Sequence, residues 1–156
     1  MPNPSPAPAT VKASFYLWVG AVVTAVAELS VRLVDAPEGF AAAVMTGVPE
    51  LAVRGFAYIL LLALGWFMLS GHNWARWTLL IIFGGLGTFS LVFEPLQWLA
   101  EGGAMDDFFA TASTATWAMS VSRVLHVACV WSGVALMFGG EANAYFRIGR
   151  QAAAVS

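Results

Sequence analysis

The chain has 156 residues, 60% of them hydrophobic and 10% charged, with a formal net charge of −2. Soluble domains average roughly 45–50% apolar and about 25% charged residues, so this balance excludes a disordered chain and a basic nucleic-acid binder and points away from a soluble domain. The single cysteine, Cys129, excludes an intrachain disulfide, a CxxC redox pair and a cysteine-rich metal site. What remains is an integral membrane protein, in keeping with a mean hydropathy of +0.77.

The Pro-rich start, with Pro2, Pro4, Pro6 and Pro8, reads as an extended, disordered cytoplasmic tail over residues 1–12. A transmembrane domain follows over residues 13–140. A crossing helix needs about 20 mostly apolar residues. Four runs meet that need, at 14–34, 51–70, 74–94 and 116–139. Their continuous apolarity favours helices over a barrel, whose strands would alternate in polarity. In the first run, Ala25-Val26-Ala27 also has the form of a signal-peptidase site. The apolar character resumes beyond Ser30 and only Lys12 precedes the run, which favours a retained span.

Between the first two spans, FAAAVM is set among Pro37, Gly39, Gly47 and Pro49 and suggests a short surface helix. Gly71-His72-Asn73 is a tight turn that makes the second and third spans an antiparallel hairpin. Pro95 ends or kinks the third span. Residues 95–101 then suggest an interfacial helical turn carrying Trp98, followed by a flexible loop with Asp106 and Asp107. Residues 141–156 form a second cytoplasmic tail. The expected fold is therefore all-α, an up-down-up-down four-helix bundle with both termini cytoplasmic.

Charge supports that orientation. Lys12, Arg76, Arg147 and Arg150 lie on the side of the termini, opposed only by Glu141. Arg32, Arg54 and Arg123 lie on the other side, among the remaining acids. Cations flanking the spans mark the cytoplasmic face. Trp18, Trp66, Trp74, Trp77 and Tyr145 gather near that face, and Trp98 and Trp117 near the outer one, as interfacial anchors do.

Charges within spans cost about 2.5–3.5 kcal/mol each and need partners or a wet site. At about 1.5 Å per residue, Glu28 lies about 21 Å from Ser14, and Arg123 about 24 Å from Gly139. The same measure places Arg32, Arg54, Glu94 and His126 in one outer layer. Glu28 and Arg32 share a helix face, as do Arg123 and His126. We expect a cluster of Glu28 and Glu94 against Arg54 and Arg123, with Arg32 and His126 at its margins and Glu50 capping it. Such a cluster either fixes helix register, snorkels to the interface, or forms a binding or transport site.

Gly84, Gly85 and Gly87 lie mid-membrane with no preceding strand, so they read as helix-packing positions and not as a nucleotide loop. Gly133 reads likewise. Cys129 reads as packing. His72 and His126 fall on opposite sides, which excludes them as a pair of haem ligands. No metal site, cofactor or catalytic set is expected, and an acidic loop is the plain reading of Asp106 and Asp107.

The segments VKASFYLWVG (Val11–Gly20), GHNWARWTLL (Gly71–Leu80) and NAYFRIG (Asn143–Gly149) carry a resemblance. With the Pro-rich start, they resemble uncharacterised small four-span membrane proteins of actinobacteria, with a G-NWAR inner turn and an NAYFR exit. The resemblance implies a four-helix fold and a plasma-membrane location, and transfers no catalytic or binding residue. In the inner turn, Asn73 suits a helix cap, Trp74 and Trp77 suit anchors, and Arg76 holds the turn inside.

The function expected from these features is non-enzymatic: an accessory or assembly subunit of a larger membrane complex. Its partners would be membrane lipids and other membrane subunits or a second copy, with no nucleic acid. The alternative is a binding or transport protein for a lipid or small molecule, using the outer charged cluster. Its location would be the bacterial inner membrane, as a multi-pass protein.

Overall fold

The computed structural model describes the backbone of residues 6–153 and the side chains of residues 6–147. Pro2 and Pro4 of the expected tail lie outside the described residues. All regular structure among the described residues is helical.

The first helix, α1 (Ala9–Val34), starts directly after Pro8, whose extended backbone forms the N-cap. Residues 9–12, expected in the tail, are therefore its first turn. A short α2 (Phe40–Thr46) occupies the first connection, and α3 (Val48–Leu69) follows at once, with Pro49 and Glu50 in its first turn. Proline lacks the amide that a first turn leaves unpaired, and a carboxylate there suits the helix dipole.

Gly71, at φ +86°, reverses the chain after α3. The His72 amide donates to Phe67 O and the Gly71 amide to Met68 O, each at 3.0 Å, which satisfies two terminal carbonyls of the helix. The third span comprises α4 (Asn73–Thr78), a π-helical segment Leu79–Gly87 and α5 (Thr88–Ala100). Asn73 is not the cap expected of it: His72 occupies that position and makes no side-chain capping bond.

The π segment, LLIIFGGLG, replaces an expected plain α-helix. π geometry is rare and usually limited to one turn. The glycines make departure from α geometry less costly here than bulky residues would. Beyond it, the helix runs through Pro95 to Ala100, where a second end-turn on Gly102 stops it. The loop expected after that turn contains α6 (Met105–Thr111). Phe108 packs its ring 6.5 Å from Trp98 and 5.4 Å from Trp117, which ties α6 to its neighbours.

The fourth span, α7 (Thr114–Met137), is capped by Ser113, whose hydroxyl accepts from the Thr116 amide at 3.1 Å. The C-terminal segment, expected as a cytoplasmic tail, is helical over its described residues. It forms α8 (Gly140–Ala153), and its Ala142 and Phe146 are fully buried.

Among the described residues, four helical stretches, Ala9–Val34, Val48–Leu69, Asn73–Ala100 and Thr114–Met137, are long and apolar enough to cross a membrane. The chain is an integral membrane four-helix bundle of up-down-up-down order. Its closest pairing is α1 with α7. The buried residues of α1, Val11, Ser14, Trp18, Ala21, Ala25 and Glu28, alternate in steps of three and four. On α7, Val130, Gly133 and Met137 do the same. That alternation is the seam of left-handed helix packing. Small residues let the two backbones approach where lipid offers no hydrophobic drive.

The apolar core is lopsided. Val11, Trp18, Leu64, Met68, Leu79, Met137 and Phe146 fill the end of the bundle that carries the Gly71 turn and α8. The other end, with α2 and α6, holds Glu28, Arg32, Glu50, Arg54, Glu94 and Arg123. There α5 contributes no buried residue.

Candidate functional site

The α1–α7 seam changes character along its length. Near the turn end, the Ser14 hydroxyl donates to Gly133 O at 2.8 Å. Further along, the Ser122 hydroxyl donates to Thr24 O at 2.7 Å. His126 Nδ1 lies 2.8 Å from Ala21 O. A carbonyl can only accept, so Nδ1 carries the proton, and in the neutral ring Nε2 remains an acceptor.

One turn further on, Arg123 bridges two helices. Its Nε donates to Glu28 Oε1 at 2.9 Å and its Nη2 to Glu94 Oε2 at 3.0 Å. Glu28 is 7% exposed, whereas most of the Glu94 side chain is open. The pair to Glu28 therefore bears most of the electrostatic weight.

The six expected cluster residues divide into two networks and a histidine. Glu28, Arg123 and Glu94 form the first. Arg54 does not join it. Its Nε donates to Glu50 Oε1 at 2.8 Å, one turn back on α3, and Arg32 Nη1 reaches the same oxygen at 3.0 Å. Glu50 is thus the hub of a second network, not a cap on the first. The physical reason is proximity: Glu50 and Arg54 are i,i+4 neighbours, and Glu28 is already occupied by Arg123.

A cavity of about 350 Å³ lies between α1, α3, the π segment and α7. Trp18, Leu61, Phe83 and Val130 make its apolar wall; Arg54, Tyr58 and His126 supply polar groups. Gly87, Ser90 and Leu91 also line it, so the wider π turns and the start of α5 form one side. The Tyr58 hydroxyl lies beside the Arg54 guanidinium but has no partner in hydrogen-bond geometry. A second, smaller pocket of about 290 Å³ lies above it, bordered by Arg32, Glu38 and Glu50.

Of the four expected packing glycines, Gly133 is set against Ser14, Leu17 and Trp18 of α1, and Gly84 against Val134 of α7. A side chain at Gly85 or Gly87 would approach only backbone of its own helix.

At the opposite end of the bundle is an arrangement that the sequence did not single out. Arg76, 6% exposed, donates through Nη1 to Met137 O at 3.2 Å and Asn143 Oδ1 at 2.8 Å. Its guanidinium carbon lies 4.7 Å from the ring centres of both Phe138 and Phe146. The Tyr145 hydroxyl donates to Leu69 O at 2.9 Å, and burial raises its pKa, which keeps it a donor. The NWAR and NAYFR segments thus meet as one clamp that locks α8 to the turn. A signal was present: an arginine in one aromatic-rich motif and an asparagine in another, both on the same side of the bundle.

Trp18 also departs from expectation. Its sequence position suits the interfacial belt, yet it is fully buried in the α1–α7 seam, with no hydrogen-bond partner for Nε1. Its place in the three-and-four spacing of α1 was the available signal. Tyr58 and Thr24 carried no comparable signal.

No protein-family model, curated protein or solved structure matches this chain.

Proposed function

We propose that this is a non-enzymatic, multi-pass protein of a bacterial plasma membrane that binds a lipid or lipid-like amphiphile. The observation that carries this reading is the cavity of about 350 Å³ in the less densely packed half of the bundle. Ligand sites typically span about 300–1,000 Å³ and combine apolar walls with a few convergent polar groups. Arg54, Tyr58 and His126 are those groups, and Trp18, Leu61 and Phe83 the walls. With both termini cytoplasmic, the cavity runs from the middle of the membrane, at Leu61, Phe83 and Val130, to Arg54 in the outer layer. Charged groups at that depth are functional candidates, and an entrance from the lipid suits an amphiphile.

The test is native mass spectrometry of the protein released from lipid nanodiscs. A one-to-one lipid adduct is expected, and it should disappear on filling the cavity with Leu61→Trp. Val53 lines the cavity but is largely exposed, so Val53→Trp obstructs it with less risk to folding. An adduct of undiminished occupancy in both folded variants would overturn the reading.

A second reading, an accessory subunit of a larger membrane complex, is favoured by one observation. The helix α5 buries no residue and exposes Phe89, Phe93 and Leu96. Co-purification with a stoichiometric partner in mild detergent, abolished by Phe93→Ala, would support it.

A further inference from the structure

We infer that the cavity receives a single-chain fatty acid, its carboxylate at Arg54 and its chain along Phe83 and Leu86. This inference rests on the binding function proposed above and names the ligand class. Several observations carry it. Arg54 is the one charged side chain lining the cavity among the described residues, and no acid lines it. The network behind it, Arg32, Glu50 and Arg54, joins two cations through one carboxylate, so a single positive charge is left over. That excess complements a monoanion.

The geometry of the guanidinium narrows the head further. Glu50 takes Arg54 at Nε. The two terminal nitrogens remain as a planar fork that matches a carboxylate through two parallel hydrogen bonds. The Tyr58 hydroxyl beside it, buried and without a hydrogen-bond partner, supplies a further donor.

The experiment uses the full chain in nanodiscs of zwitterionic phosphatidylcholine, with empty nanodiscs as baseline. The probe is the fluorescent fatty acid cis-parinaric acid, compared with the alcohol of the same chain, under alkaline conditions that ionise the carboxylate. Hydrogen bonds to a charged group contribute about 1.5–3 kcal/mol, so the acid should bind at least about tenfold more tightly than the alcohol. Arg54→Gln should bring the acid down to the affinity of the alcohol, and an unchanged melting temperature and elution volume in detergent report that the variant is folded. Arg54→Lys should retain part of the preference.

Equal binding of acid and alcohol would overturn the carboxylate assignment while leaving the amphiphile cavity standing. Displacement of the probe by lysophosphatidylglycerol as effectively as by oleic acid would overturn it too, because the head would then be a phosphodiester. Failure of both probes to bind, or equal binding in Leu61→Trp, would overturn the cavity reading itself.

Discussion

Glu28 on α1 accepts a hydrogen bond from Arg123 on α7 at 2.9 Å, at the end of a seam whose other buried α1 residues, Val11, Ser14, Trp18, Ala21 and Ala25, are uncharged. The two residues do not depend on each other equally. Arg123 has a second partner in Glu94, whereas no other cation lies within ion-pair distance of Glu28 among the described residues. Removing Arg123 therefore strands a buried carboxylate, and removing Glu28 leaves the arginine still paired.

The first prediction follows from that asymmetry. Breaking a buried pair from one side costs about 3–5 kcal/mol, whereas replacing both members is often nearly neutral. Arg123→Gln should lower the melting temperature in detergent well below that of Glu28→Gln, and Glu94→Gln should change it least. The Glu28→Gln/Arg123→Gln double variant should melt above Arg123→Gln alone. Simple additivity of the two single losses would exclude a coupled pair.

The fold was legible in the sequence because lipid simplifies the problem. Long apolar runs must become helices, and the Gly71 turn leaves no choice but a hairpin. The layer of Glu28, Arg54, Glu94 and Arg123 could be placed by counting helical rise. Which arginine meets which acid could not, since pairing depends on helix rotation and on competition from near neighbours. Glu50 wins Arg54 by lying one turn away on the same helix. The π segment was hidden for a similar reason: LLIIFGGLG satisfies an apolar span equally in α or π geometry, and only packing distinguishes them. The cavity borders that π segment and the start of α5, which buries no residue, and hydropathy encodes neither feature.

A second prediction separates two glycines that look alike in the sequence. A Cβ at Gly65 would stand 2.8 Å from the Phe15 ring, whereas at Gly133 its nearest neighbour is Trp18 Nε1 at 3.4 Å. Overpacking a tight contact typically costs about 1–3 kcal/mol. Gly65→Ala should therefore depress the melting temperature by several degrees, and Gly133→Ala should be close to neutral. Gly133→Leu, which no small adjustment accommodates against Leu17 and Ser14, should prevent recovery of folded protein. If Gly133→Ala proved the more damaging alanine, the α1–α7 contact would be closer than its geometry indicates.

The third prediction concerns the clamp on α8. Arg76 donates to Met137 O and Asn143 Oδ1 while its plane lies near Phe138 and Phe146. Lysine keeps the charge but has no planar fork to satisfy both roles. Arg76→Lys should loosen α8 without removing the charge at the turn. The measurement is limited trypsin digestion at the exposed Arg147, which should accelerate several-fold in the variant. An unchanged rate would mean that Phe146 burial alone holds the helix.

The last prediction tests whether the π segment sets the position of Glu94. In an α-helix each residue turns the chain by about 100°. Deleting Gly85 removes one residue from Leu79–Gly87 and should rotate α5 by about that amount relative to α4. Glu94 would then leave the face it shares with Arg123, now 3.0 Å away. The measurement is crosslinking with a short bismaleimide between Glu94→Cys and Arg123→Cys, in a Cys129→Ala background. The native spacing should crosslink efficiently and the deletion should not. Replacing Gly85 by Ala instead keeps the residue count and should preserve the crosslink, because a Cβ there meets only Leu80 O at 3.7 Å. Equal crosslinking in the deletion would show that α5 finds Arg123 independently of the π turns, and that the cavity wall does not depend on their geometry.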